Sequence, residues 1–169
     1  MMFIKVFVLL LIFLVCLNSG KIIAKKYSDR VEELKDMKNG LNMFLTKIRF
    51  TYEAIPETFI EIGNNINGNI GKIFIKASKK MNERTAGEAW KEALEEQSNN
   101  LVKEDILVLN KLGRMLGKTD IEGQISEIKL VQDFLNTQIE IAEKEKEKNE
   151  KLYKTLGGVL GLAIAIILV

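Results

Sequence analysis

Hydrophobic residues gather at the two ends of the chain, and charged residues fill the middle. Residues 1–20 carry one charged side chain, Lys5, and residues 156–169 carry none. A helix rises about 1.5 Å per residue, so one over 1–20 would be roughly 30 Å long, about the hydrocarbon thickness of a bilayer. The pattern therefore predicts a membrane anchor at 1–20 and a transmembrane helix at 156–169.

Each apolar end has an alternative interpretation. The first could be a cleaved signal peptide, but the residues Leu17-Asn18-Ser19-Gly20 lack small side chains at both cleavage positions, so a retained anchor is favoured. The last segment would be roughly 21 Å long as a helix, or roughly 27 Å if counted from Leu152. We expect it to span, and the alternatives are half insertion or burial in a partner.

Between the two ends, apolar residues recur at spacings of three and four, which is the period of one helix face. The first such stripe consists of Val31, Leu34, Met37, Leu41, Phe44, Leu45 and Ile48, in a helix predicted from Ser28 to about Phe50. A proline suits the first turn of a helix, so Pro56 is expected to open the next one. Breaks follow at Asn67-Gly68-Asn69, at Asn99-Asn100 and at Gly117. The sequence therefore predicts an all-α fold, a helical bundle of about six helices flanked by the two transmembrane helices.

Two segments have the spacing of a capping box, in which a Thr side chain and a Glu three residues later satisfy the first backbone N–H groups of a helix. They are Thr85-Ala86-Gly87-Glu88 and Thr119-Asp120-Ile121-Glu122. The second opens the longest helix, whose apolar seam is heptad-like, as in a coiled coil, with Gln132 as its polar member. Beyond the bundle, predicted over 21–142, the helix becomes a charged stalk at 143–155 and continues into the terminal apolar segment.

Lysine and arginine residues flank both apolar segments on the side of the middle domain. Four of them follow the first segment and five precede the last: Lys21, Lys25, Lys26, Arg30, Lys144, Lys146, Lys148, Lys151 and Lys154. Because positively charged flanks stay in the cytoplasm, the middle domain is predicted to be cytoplasmic. Removing Lys5 and Lys154 from the 25 Lys and Arg leaves 23, which equals the 23 Asp and Glu. A domain without net positive charge is not expected to bind nucleic acid.

The composition also limits the possible chemistry. The chain has no histidine and one cysteine, Cys16, which excludes a Ser-His-Asp triad, a Cys-His pair and a histidine-bearing zinc site. Adjacent carboxylates such as Glu32-Glu33 do not face each other on a helix. The Asn- and Gly-rich segment 64–71 lacks the Gly-Lys-Ser/Thr ending of a phosphate-binding loop, and a helix-to-helix turn is favoured there. We therefore predict no enzyme activity, no metal site and no cofactor.

A few residues are candidates for contacts with partner proteins, and each has a structural alternative. Trp90 is either a partner anchor or a core residue on an alanine-rich face. Gly157 and Gly161 have the spacing that allows membrane helices to pack closely, which is a weak signal by itself. The remaining candidates are Gly113, Gly117 and Asp120, for which turn and cap geometry is the alternative.

Four segments resemble those of the stage III sporulation protein AB family, in the same order and with similar spacing over nearly the whole chain. They are Gly113-Arg114-Met115-Leu116-Gly117-Lys118-Thr119-Asp120, Lys47-Ile48-Arg49-Phe50 with Ile55-Pro56, Thr85-Ala86-Gly87-Glu88-Ala89-Trp90, and Tyr153-Lys154-Thr155-Leu156-Gly157. The sequence departs from the family pattern at Ile55 and Glu57, where the family tends to have Thr and Leu.

The resemblance implies a domain like the cytoplasmic part of type II secretion inner-membrane platform proteins. It implies a place in a secretion-like complex of the mother-cell membrane around the forespore, beside a secretion-type ATPase and other membrane subunits. Association between copies of the chain stays open. The alternative is a membrane-anchored helical sensor or signalling regulator, although no kinase or methylation-type output segment is present in the sequence. A membrane-bound enzyme is disfavoured by the missing catalytic site.

Overall fold

The computed structural model describes residues 2–51, 53–97 and 100–168. Its secondary structure over these ranges is entirely helical, which confirms the predicted all-α fold. Three positions with a prediction lie outside the described residues: Met1 of the anchor, Asn99 of the second break and Val169 of the terminal segment. The helices are α1 (Met2–Phe50), α2 (Ile55–Asn65), α3 (Gly68–Lys80), α4 (Ala86–Gln97), α5 (Lys103–Met115) and α6 (Ile121–Leu168).

The first and last helices are much longer than the others. The prediction separated an anchor at 1–20 from a helix that begins at Ser28, whereas α1 is one helix of 49 residues. Asn18, Ser19 and Gly20 are poor helix formers, but they lie within the continuous α1, since such propensities are weak. The last helix, α6, has 48 residues and includes both the charged segment and the apolar end, as the absence of a stop signal predicted.

Local capping signals set several helix ends as predicted. Pro56 lies in the first turn of α2, where its missing N–H has no helical partner to lose. Gly117 has a positive φ of 73° just after α5, the left-handed conformation that glycine adopts most easily. The start of α6 differs from the prediction, because Asp120, and not Thr119, provides the cap: its Oδ1 accepts a hydrogen bond of 2.9 Å from the Gly123 N–H.

The chain divides into two compact units, of which one is Glu32–Glu140 and the other joins Met1–Val31 to Ile141–Val169. We call them the bundle unit and the terminal unit. In the bundle unit, four aromatic rings from different helices meet at the centre. Phe59 lies 5.0 Å from Phe44, 5.1 Å from Phe74 and 5.6 Å from Trp90 between ring centroids. These rings are fully buried, so they supply much of the apolar burial that holds the helices together.

The ends of the bundle unit are defined by its loops. At the near end, where α1 enters the unit, the Glu33 carboxylate accepts hydrogen bonds from Asn69 and Asn100, which follow the second and fourth helices. At the far end, a Cβ on Gly117 would lie 3.9 Å from both Ile55 and Ala86, so the other three connections converge there. Short loops between consecutive helices give this alternation, as in other antiparallel bundles.

The terminal unit is a pair of helical segments, one from each long helix. Tyr27 stacks on Tyr153 with their ring centroids 6.0 Å apart, and Arg30 forms a 2.7 Å ion pair with Glu145. Among the described residues, one helix is long and apolar enough to cross a membrane: it is Phe7–Phe50, and little of its apolar window is buried. A signal sequence near the N-terminus would pass the same test. Because the described part of α6 is not such a helix, a C-terminal membrane span is treated as part of the proposed function.

Candidate functional site

A groove with a polar lining lies between α4 and α5 at the far end of the bundle unit. Its volume is about 520 Å³. The lining residues come from the start of one helix and the end of the other, because the two run antiparallel. They are Thr85, Gly87, Glu88, Lys91, Leu107, Asn110, Arg114 and Lys118. We call this the α4–α5 groove.

One wall of the groove is fixed by the capping box predicted from the sequence. The Glu88 carboxylate accepts hydrogen bonds from the Thr85 hydroxyl at 2.7 Å and from the Thr85 N–H at 3.1 Å. These two bonds hold the pKa of Glu88 below its usual value, and the positive charges of Arg84 and Lys118 lower the pKa further. Glu88 is the one acidic residue among the lining residues. Its carboxylate is thus ionised at neutral pH, and it is already hydrogen-bonded to the start of its own helix.

The floor of the groove depends on two glycines and the buried tryptophan. A Cβ on Gly113 would lie 2.6 Å from Trp90 Cδ1, and a Cβ on Gly87 would collide with the carbonyl of Gly113. Neither position has room for a side chain, so α4 and α5 approach closely here. The Trp90 indole N–H donates a 2.8 Å hydrogen bond to the carbonyl of Leu109, which fixes the ring between the two helices.

Two features of the groove are unusual for the surface of a folded protein. Asn110 Oδ1 is buried and accepts no hydrogen bond within the structure, although a buried amide oxygen normally has a donor. Leu107, one turn earlier on the same helix, is 65% exposed. The exposed Leu107 side chain can receive an apolar group of a ligand, whereas the Asn110 oxygen is covered by the protein itself.

Next to the groove, the outer face of α5 meets α6. Lys111 Nζ lies 5.3 Å above the centroid of the Phe134 ring, a distance at which a cation and an aromatic face attract. Phe134 and Leu130 are 40% and 48% exposed, so this face adds apolar surface to the basic groove.

The structure separates the predicted contact residues into three groups. Trp90 and Gly113 are brought together inside the bundle unit. Trp90 is a core residue, as its structural alternative proposed, whereas Gly113 lies within α5 and is neither a turn nor a cap residue. Gly117 and Asp120 are exposed at the far end, where they also serve as helix caps. Gly157 and Gly161 lie in the terminal unit against the first helix of the same chain, as described below.

In the terminal unit, glycines occupy the closest approach of the two helices. A Cβ on Gly20 would lie 3.3 Å from Gly157 Cα, and a Cβ on Gly161 would lie 2.6 Å from the Phe13 ring. Small residues allow such backbone contact between membrane helices. Gly157 and Gly161 therefore pack against α1 of the same chain, which is the kind of close helix contact that their spacing suggested.

Sequence reasoning missed Leu107, Asn110 and Arg114. They lie outside the positions predicted to face inward on this helix, which are Ile106, Leu109, Leu112 and Leu116, so they were not among the candidates. A signal was present, since Leu107, Lys111, Arg114 and Lys118 are spaced by four, three and four, which places an apolar residue on an otherwise basic helix face. In the ranges that the structure describes, no group of three His, Cys, Asp or Glu side chains is placed to hold a metal ion.

Comparisons with known proteins agree on one family. Residues 5–169 match the family model for stage III sporulation protein AB. The stage III sporulation protein AB of Bacillus subtilis (strain 168) is 25% identical over 154 residues, which cover 89% of this chain and 90% of that protein. A solved structure of a stage III sporulation protein AB superimposes with a TM-score of 0.66 at 20% identity, over 71% of this chain and 98% of that one. The structural likeness shows that the fold is shared.

Proposed function

Because the chain belongs to the stage III sporulation protein AB family, we propose that it is a non-enzymatic platform subunit of a secretion-like complex in endospore formation. In this role it links a cytoplasmic ATPase to membrane partners. Continuity of the two long helices carries the proposal: α1 and α6 each join a bundle helix to an apolar segment without interruption. A domain attached to apolar helices at both of its ends suits a platform that holds soluble and membrane proteins in one assembly.

The second membrane span is part of the same proposal. The end of α6 carries exposed apolar side chains, which would be unfavourable in water and favourable in lipid. They are Leu152, Leu156, Val159, Leu160, Leu162 and Ile166. The lysines on the inner flanks of both segments support a cytoplasmic position for the bundle unit. The membrane that we propose, the mother-cell membrane around the forespore, follows from the family alone.

Topology is tested with reporters inserted in the full chain after Asn82, an exposed residue between α3 and α4. A reporter active only in the cytoplasm is expected to work there, and a reporter active only after export is expected to fail. Activity of the exported reporter would overturn the orientation.

The platform role is tested by purification of the tagged full chain in detergent from sporulating cells. We expect a secretion-type ATPase and small membrane proteins to co-purify, as a platform subunit requires. Recovery of a kinase or a response regulator in their place would favour a signalling role and contradict the proposal.

A further inference from the structure

We propose that the α4–α5 groove binds an acidic segment of another protein, with an apolar side chain of that segment over Leu107. The inference rests on the proposed platform role, since a platform subunit requires a surface that recognises a soluble partner. The groove supplies two independent reasons: its charge and its exposed apolar side chain.

The charge of the lining favours an anionic partner. Lys91, Arg114 and Lys118 line the groove against a single carboxylate, that of Glu88. Glu88 already accepts two hydrogen bonds from Thr85, so its lone pairs are partly used. Lys91 lies 3.8 Å from Glu95 in an exposed pair, which contributes little and is easily exchanged for another carboxylate. The groove is therefore complementary to Asp or Glu side chains, which steers association and selects partners.

The exposed side chain of Leu107 indicates that the partner segment also carries an apolar residue. Leu107 lies in the groove lining, is 65% exposed, and gains by burial under an apolar side chain of that segment.

A protein segment fits these features better than a nucleic acid. A volume of about 520 Å³ receives a few side chains and not a duplex. Nucleic-acid binders also carry a basic excess, whereas residues 21–151 contain equal numbers of basic and acidic side chains.

A photo-crosslinking amino acid at position 107 of the full-length chain tests the proposal in sporulating cells. The control is the same probe at Ile60, which is 45% exposed on α2. We expect an adduct at 107 and not at 60, and mass spectrometry of the adduct is expected to identify a peptide of a different protein with several Asp or Glu residues. A peptide of this chain, a basic or uncharged peptide, RNA, lipid, or no adduct above the control would each overturn the proposal.

Charge-reversal variants provide the second measurement. Arg114→Glu with Lys118→Glu is expected to reduce the adduct at 107 by roughly tenfold or more, because like charges then face each other. The matched control, Lys72→Glu with Lys103→Glu, changes the net charge equally at exposed positions outside the groove lining and is expected to leave the adduct unchanged. Equal reductions in both variants would show that only overall charge matters and would contradict the assigned groove.

The outcomes separate this inference from the platform role. Co-purification of the ATPase without an acidic peptide cross-linked at 107 leaves the platform role and removes the groove assignment. An acidic peptide cross-linked at 107 from a signalling protein, with no ATPase recovered, does the reverse.

Discussion

The indole of Trp90 and the carbonyl of Leu109 are joined by a hydrogen bond of 2.8 Å across the α4–α5 contact. The donor is fully buried, and the acceptor belongs to the helix that carries Asn110 and Arg114. The position of the groove wall is thus coupled to the core of the bundle unit. Damage to the core at this point is expected to affect the shape of the groove as well as stability.

Trp90→Phe tests this coupling. The substitution removes the hydrogen bond and leaves a void, which together should cost about 2–3 kcal/mol. For a domain of this size, we expect the melting temperature of the full chain in detergent to fall by roughly 10 °C, measured by circular dichroism. As a control, Leu107→Ala changes an exposed side chain of α5 and should leave the melting temperature within roughly 2 °C of the original. Equal shifts in the two variants would contradict the structural role of Trp90.

Glu33 joins the first turn of α3 to the segment between α4 and α5 at the near end of the bundle unit. Its Oε1 accepts hydrogen bonds of 2.7 Å from Asn69 and 2.8 Å from Asn100, whereas Oε2 is buried without a partner. Glu33→Gln retains the bonded oxygen and should change the free energy of unfolding by less than about 1 kcal/mol. Glu33→Ala leaves both amide groups without their acceptor and should cost about 2–3 kcal/mol.

The comparison of these two variants is made by thermal unfolding under identical conditions. A larger loss in Glu33→Gln than in Glu33→Ala would mean that the charge, and not the shared acceptor, stabilises the loops. Hydrogen exchange at the start of α3 should increase in the alanine variant, because Asn69 lies in its first turn.

The packing of the terminal unit can be tested with the native cysteine. A Cβ at position 161 would lie 3.4 Å from Cys16 Cβ, close to the separation found in disulfides. Because the same Cβ would lie 2.6 Å from the Phe13 ring, the variant is made together with Phe13→Ala. We expect Gly161→Cys in this background to form an intramolecular disulfide with Cys16 on mild oxidation of the full chain in membranes. The readout is protection of both thiols from alkylation, measured by mass spectrometry.

The neighbouring position provides the control for this cross-link. Leu162 is 57% exposed, so Leu162→Cys should remain open to alkylation under the same oxidation. Equal oxidation of the two variants would argue against a fixed contact between the apolar segments.

The capping box of α4 makes a prediction about pH. Hydrogen bonds from Thr85 are the main reason that the pKa of Glu88 lies below its ordinary value. A depressed pKa in the folded state gives stability that is present above the unfolded pKa and is lost as the pH falls through the folded pKa. We expect Thr85→Ala to lower the melting temperature at pH 7, and this difference should shrink as the pH falls below about 4.

Two variants control for the cap. Thr85→Ser restores the hydroxyl and should recover most of the loss. Thr51→Ala removes a hydroxyl that donates to the Lys47 carbonyl, a bond with no carboxylate, and its effect should not depend on pH over this range. A pH dependence shared by Thr51→Ala would rule out the Glu88 cap as the cause.

Much of the fold follows from local patterns in the sequence. The buried faces of α1 and α6 contain the predicted stripe residues Leu34, Met37, Ile128 and Leu135, because a helix with one apolar face has one way to bury it. The predicted cap at Gly117 is confirmed for the same kind of reason, since a single residue determines it.

The candidate site could not be predicted in the same way. Whether Asn110 has a donor, and whether Gly20 meets Gly157, depends on the rotation and separation of two helices distant in sequence. Composition gives no information on either. The sequence indicated only that Gly157 could pack against another membrane helix. In the structure this helix is α1 of the same chain.

The bundle unit is formed by segments from opposite ends of the chain, and this fixes an order of events during synthesis. Leu41 and Phe44 of α1 are made early and are fully buried in the finished unit, whereas Ile128 and Leu135 of α6 are made late. A ribosome that adds about 5–20 residues per second takes several seconds or more to connect them. Throughout that interval the apolar face of α1 lacks its last partner, so a nascent chain of this protein is expected to engage chaperones until α6 has emerged.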